Sequence, residues 1–243
     1  VEKKRMKAVR ERKHRLLMLR RAVRRKASTL WRTGLMPSAR HGAGVSGLAD
    51  APLREMRSLA AVLNGRSNKR HVGVTAYLLT HPSEEYDPVY HATLDLVLNY
   101  AAWVWDGRTS PSRLQRAWTA LHERAVPISW ADAKGPLAAT WLTLKRLAWD
   151  MKAPHILQGD LGSQYDLHRV RPADLRPFLM QGVQRWQHDR FTSHMYAHAG
   201  APIWRRGLRY AVKGVRAARQ LGALQALWSD NIPMPIRRDM KLG

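Results

Sequence analysis

Residues 2–31 read EKKRMKAVRERKHRLLMLRRAVRRKASTLW, and neither Pro nor Gly interrupts the chain before Gly34. Met6, Val9, Leu16, Leu17, Leu19, Val23, Leu30 and Trp31 recur through this stretch at irregular helical spacing. Apolar residues three, four and seven apart share one face of a 3.6-residue period, so the stretch predicts a long basic helix with one apolar seam. Residues 1–26 hold thirteen Lys and Arg against Glu2 and Glu11, so +11 of the formal net charge of +24 lies in the first tenth of the chain. Like charges at this density repel one another unless a polyanion neutralises them, and each phosphate contact releases condensed counterions. Contact with nucleic acid is the leading reading; a solvated basic face and an anionic membrane surface are the alternatives. Arg outnumbers Lys 31 to 11. Guanidinium favours bidentate phosphate contact and base stacking, although a GC-rich genome gives the same bias.

Beyond the basic stretch, helix punctuation recurs. Asp50 and Pro52 open a helix whose Leu53, Met56, Ala60 and Leu63 share a face, and Asn64-Gly65 closes it. Val72 to Thr80 reads as a shorter helix. Asp87-Pro88 starts another, with Val89, Leu96, Val97, Tyr100, Trp103 and Val104 inward and Asp106-Gly107 at its end. Ser110-Pro111 and Pro136 open two more, and Pro172 opens a long one through Leu175, Phe178, Leu179, Val183 and Trp186. A further basic helix is expected from Trp204 to Trp228. The exception is His155 to Val170, where Ile156-Leu157 and Tyr165 to Leu167 flank Gly159-Asp160-Leu161-Gly162 and predict a small hairpin. The expected fold is mainly α, a helical bundle with a long basic N-terminal helix and one small β-hairpin. The expected organisation is a basic helical segment over 1–80, a helical domain over 81–230 with its hairpin near 155–170, and an irregular tail over 231–243.

With 243 residues, 45% of them hydrophobic and ten of them Trp, the chain can bury a core of its own. It has no Cys, which excludes disulfides, thiolate zinc sites and Cys nucleophiles. No run of about 18 apolar residues occurs, which argues against a membrane partner. Val1 stands inside a charged run without a signal peptide's apolar segment, and the sequence reads as part of a longer chain.

Several constellations touch on chemistry. Gly42, Gly44 and Gly47 match G-x-G-x-x-G, but no strand precedes them, the next helix waits until Pro52, and no acid lies between Glu55 and Glu84. A flexible turn between helices is the expectation there, without a cofactor. His188, His194 and His198 cluster with Asp189, yet no further ligand converges on them, so no metal is expected. There is no x-Asp-Asp pair, G-x-S-x-G or P-loop, and the acids are scattered singly apart from Glu84-Glu85, in an expected loop. No catalytic residue is assigned. Trp103, Trp105, Trp118, Trp141, Trp149 and Trp186 fall mostly on apolar faces and predict core packing, whereas Trp31, Trp204 and Trp228 lie beside Arg-rich helix and are the candidates for base stacking.

The run LWRTGLMPSARHGAGVSGLADAPLREMRSLAAVL, residues 30–63, resembles the segment just after the palm in reverse transcriptases of LINE-like (non-LTR) retrotransposon polyproteins. There a basic helix leads into an RTG-x-x-P-x-A-x-Y-G-A-E-x-x-G pattern and then an L-x-x-L-R helix. Arg32-Thr33-Gly34, Pro37, Ala39, Gly42-Ala43 and Gly47 match, followed by Leu53 and Met56-Arg57; His41 stands where Tyr is usual and Gly44 where an acid is usual. Tyr86-Asp87-Pro88 with Tyr90, Trp103-x-Trp105, Ala117-Trp118, Gly135-Pro136-Leu137 and the hairpin before Leu167 follow the connector of those polyproteins more loosely. Leu227-Trp228 through Pro235-x-Arg237-Arg238 looks like the approach to a zinc-binding element and a ribonuclease H domain.

The resemblance implies a thumb-like basic element plus connector, non-catalytic in itself, whose parent polyprotein is an RNA-directed DNA polymerase with palm and ribonuclease H domains as partners. Its expected ligand is RNA or RNA–DNA duplex, held by template–primer phosphates. The candidate contact residues are Arg10, Arg20, Arg21, Arg24, Arg25 and Arg32, with a second basic face at Arg205, Arg206, Arg209 and Arg216. The alternative is a free-standing basic helical protein that binds RNA or DNA or acts as a scaffold. Nuclear and cytoplasmic settings suit either reading.

Overall fold

In the computed structural model, the described residues are 2–23, 27–63, 87–123 and 128–192. They are mainly helical, with one small antiparallel sheet. The helix expected at Val72 to Thr80, the one from Trp204 to Trp228, the Asn64-Gly65 stop, the Glu84-Glu85 loop and the tail over 231–243 lie outside them.

Helix α1 spans Glu2–Val23, as the uninterrupted basic stretch predicts. A short α2, Ala27–Leu30, leads into a wider π turn, Trp31–Leu35, and then α3, Met36–Arg40. The wider turn adds a residue to the period, and both Trp31 and Leu35 end up buried. A single-turn α4, Ala43–Ser46, precedes α5, Asp50–Leu63. Helices α6, Pro88–Trp105, and α7, Pro111–His122, begin as the sequence predicts, with Asp87 and Ser110 accepting hydrogen bonds from the first-turn amides of Val89 and Arg113. Proline at the first position costs nothing there, because that N–H has no intrahelical partner. Helix α8, Pro136–Arg146, starts from Gly135 at φ 87°. Helix α9, Pro172–Thr192, is the long helix expected after Pro172.

The G-x-G-x-x-G stretch is a turn between helices, but a packed one rather than a flexible one. Gly42 and Gly47 hold φ of 76° and 68°, a region that L side chains rarely adopt. A Cβ on Gly44 would lie 2.5 Å from Asn99 Nδ2, and one on Gly47 would lie 2.6 Å from the Trp130 ring. The glycines let α4 lie against α6 and α8.

The expected hairpin is present as β2, Ile156–Gln158, and β3, Gln164–Asp166, with Leu157 opposite Tyr165. The sequence reading missed β1, Asp150–Ala153, which pairs antiparallel with β2 through Met151 and Leu157. Only Met151 of that strand is buried, so its apolar alternation is too short to separate from the end of the preceding helix.

Two apolar clusters form, and α6 serves both. Met6 and Val9 of α1 join Trp31, Leu35, Met36, Leu48, Leu53, Met56 and Leu59 in the first, where α6 contributes Val89 and Ala92. Tyr90, Leu94, Val97, Tyr100 and Val104 of α6 enter the second, with Leu114 and Trp118 of α7, Trp141 and Leu144 of α8, the sheet, and Leu175, Leu179 and Val183 of α9. A helix that is apolar almost all round is a buried one. Trp186 of α9 packs against both clusters. Trp118, Trp141 and Trp149 are core residues as expected, whereas Trp105, at the end of α6, is 40% exposed.

Candidate nucleic-acid interface

Met6 and Val9, one turn apart on α1, are buried against the first cluster, which turns the rest of that part of the helix outward. Lys7, Arg10, Arg12, Lys13 and Arg15 are exposed, with Glu11 and His14 among them. Arg10, an expected phosphate ligand, is already engaged: its Nε and Nη2 donate to Glu55 Oε1 and Oε2 of α5, both at 2.7 Å. That fork fixes the angle of α1 on the body more than it adds stability, since the pair is open to solvent.

Arg32 is exposed on the π turn. The expectation that its neighbour Trp31 stacks on bases is overturned: Trp31 is 0% exposed and belongs to the first cluster. Of Arg20 and Arg21 only the helical backbone is described, while Arg24, Arg25, Arg205, Arg206, Arg209 and Arg216 lie outside the described residues, as do Trp204, Trp228, His194 and His198. Lys7, Arg12, Lys13 and Arg15 were visible in the sequence as charge, but only the fold shows all four exposed, with Lys7, Arg12 and Arg15 on the face away from Met6 and Val9. Among the described residues no three His, Asp or Glu gather closely enough to hold a metal ion.

The acids that looked scattered along the chain act as internal ties. Asp87 is buried and accepts from the Val89 amide at 2.9 Å, from Arg57 Nε at 2.9 Å, from Arg57 Nη2, and from Gln187 Nε2 at 2.8 Å. One carboxylate thus joins α5, α6 and α9. Arg40 of α3 donates to Asp95 of α6. Arg146 of α8 reaches Asp50 of α5 at 2.8 Å and the Leu48 carbonyl at 2.7 Å. Arg185 of α9 and the Trp149 indole both donate to Asp160 in the hairpin turn, at 2.6 and 2.9 Å. With these carboxylates drawn into ties between elements, Lys7, Arg12, Lys13, Arg15 and Arg54 are among the described cations left exposed.

Two of these ties carry a pH signature. The hydrogen bond from Arg185 holds Asp160 below its ordinary value of 3.8, outweighing the opposing effect of burial. The hydrogen bond from Arg10 likewise holds Glu55 below its ordinary 4.5. A carboxyl depressed by folding contributes its full stability above its unfolded value and loses it as pH falls through the folded value. The urea midpoint is therefore expected to be flat from neutrality to about pH 5 and to fall below about pH 4. Asp160→Asn is expected to lower the midpoint at neutral pH and to make the acid limb shallower; an acid limb of unchanged slope would count against the Asp160 tie.

Between α5, the start of α6, the end of α8 and α9 lies a cavity of about 200 Å³, bounded by Asp50, Leu53, Arg54, Arg57, Val89, Arg146 and Trp186. The Arg57 guanidinium lies 5.0 Å from the centre of the Trp186 ring. Compared with known proteins, the chain matches no family model, no curated protein and no solved structure.

Proposed function

We propose that this chain is a non-catalytic, nucleic-acid-binding part of a reverse transcriptase of the LINE-like retrotransposon class, its thumb and connector, and that it grips template–primer duplex by the phosphates. The support is the exposed cations of α1, with Lys7, Arg12 and Arg15 on the side away from Met6 and Val9 and Lys13 on the side of Glu55, while Met6, Val9 and the Arg10–Glu55 fork hold the helix to the body. At 22 residues α1 is roughly 33 Å long, about one turn of duplex. A rigid helix with exposed cations follows a phosphate backbone and reads no base edges, so it suits a polymerase that must hold any sequence. RNA or RNA–DNA duplex is the proposed ligand, and the palm and ribonuclease H domains of the same polyprotein are the proposed neighbours.

The test is the salt dependence of binding to a fluorescently labelled RNA–DNA duplex. About four phosphate contacts give a log–log slope of about −3.6, which weakens binding about a hundredfold between 50 and 200 mM salt. Duplexes of unrelated sequence are expected to bind alike. Affinity unchanged within threefold over that salt range would overturn the reading.

A further inference from the structure

We infer that the cavity between α5, α8 and α9 is a seat for one phosphate group, with Arg54 as the residue that binds it. The inference rests on the proposed function and adds a contact point away from α1. Three guanidinium groups line the cavity, and two of them are committed elsewhere. Arg57 is held by buried Asp87, and Arg146 by Asp50 and the Leu48 carbonyl. Arg54 is exposed and has no hydrogen-bond or ion-pair partner among the described residues.

The committed pair still matter. Their side chains are only 8% and 6% exposed, so solvent and salt screen their charge less than that of a surface Arg. Asp50 and Asp87 offset two of the three positive charges, which leaves the cavity with the charge of Arg54. The Trp186 ring closes one wall and is itself covered by Arg57, so the pocket combines a low-dielectric wall with one uncommitted guanidinium at its mouth. At about 200 Å³ it falls below the roughly 300 Å³ at which small-molecule sites begin, which favours a phosphate over a whole nucleotide.

Its position suits a strand already held by α1. Arg54 is the residue next to Glu55 on α5, and Glu55 is the anchor that Arg10 of α1 grips. Asp50, Arg54 and Arg57 follow at spacings of four and three, one face of α5, and that face opens into the cavity. A phosphate that enters it could belong to the bound strand or be free in solution, and the two sources are separable.

The experiment compares wild type with Arg54→Gln, an exposed substitution not expected to disturb folding, and with Arg113→Gln on the outer face of α7 as a control. In the nucleic-acid arm, Arg54→Gln is expected to weaken duplex binding three- to tenfold at 100 mM salt and to make the log–log slope shallower by about 0.9, one phosphate contact. Arg113→Gln is expected to leave both unchanged. In the second arm, inorganic phosphate replaces chloride at matched ionic strength, and the thermal midpoint is expected to rise in wild type but not in Arg54→Gln. A response in the first arm alone assigns the seat to the strand, and one in the second alone assigns it to free phosphate. If wild type binds duplex with the expected slope while Arg54→Gln matches it in both arms, the inference fails and the proposed function stands. If wild type binds no duplex, the proposed function fails, and the phosphate arm alone decides the cavity: a midpoint rise that requires Arg54 supports it, and no rise overturns it.

Discussion

Asp87→Ala is expected to cost about 3–5 kcal/mol of folding stability, read as a lowered urea midpoint by tryptophan fluorescence. The carboxylate is 0% exposed and receives hydrogen bonds from three helices. Without it the Arg57 guanidinium stays buried with no counter-charge, which costs more than the pair itself contributes. The Val89 amide loses its cap at the start of α6, and the Gln187 amide group, whose Oε1 already makes no hydrogen bond, loses its donor contact as well. The effect reaches both apolar clusters, because α6 belongs to each. Asp87→Asn keeps the shape and removes the charge, so most of the loss is expected to remain. In a double-mutant cycle, Arg57→Met in the Asp87→Ala background is expected to recover part of it, since burying neither charge is better than burying one. A loss under about 1 kcal/mol for Asp87→Ala would mean that the hub does not tie the helices together.

Replacing Lys7, Arg12, Lys13 and Arg15 together by Gln is expected to weaken duplex binding by about 30- to 100-fold near 100 mM salt and to flatten most of its salt dependence. Gln has nearly the helix propensity of Lys and Arg, and none of the four side chains is buried, so α1 is expected to stay folded and docked through Met6 and Val9. Circular dichroism and the urea midpoint check this in the same preparation. Arg10→Gln alone is expected to do less to binding than any of the four, because Glu55 already occupies its guanidinium. If the fourfold variant binds duplex as tightly as wild type, the grip lies elsewhere in the chain.

Much of the helical plan was legible because its signals are local. Asp87-Pro88, Ser110-Pro111 and Gly135-Pro136 each place a helix start within a residue, through the fixed φ of proline and, at the first two, a side-chain oxygen that accepts from a first-turn amide. The hairpin was legible from Gly159 to Gly162, whereas β1 needed the pairing of Met151 with Leu157, which no local window contains. Trp31 illustrates the limit from the other side: beside Arg32 in sequence it looked like a stacking residue, and the π turn carries it into the core.

The basic helix, the helix starts, the hairpin and the size of the positive surplus were determined by the sequence alone, since period, capping and charge depend on near neighbours. Which cations are available to a partner was decided only by tertiary structure. Arg10, Arg40, Arg57 and Arg146 look in sequence like Arg12 or Arg54, yet each of the first four is tied to a carboxylate 45, 55, 30 or 96 residues away. An ion pair over that separation exists only when packing brings two elements together, and that same packing leaves Lys7, Arg12 and Arg54 exposed.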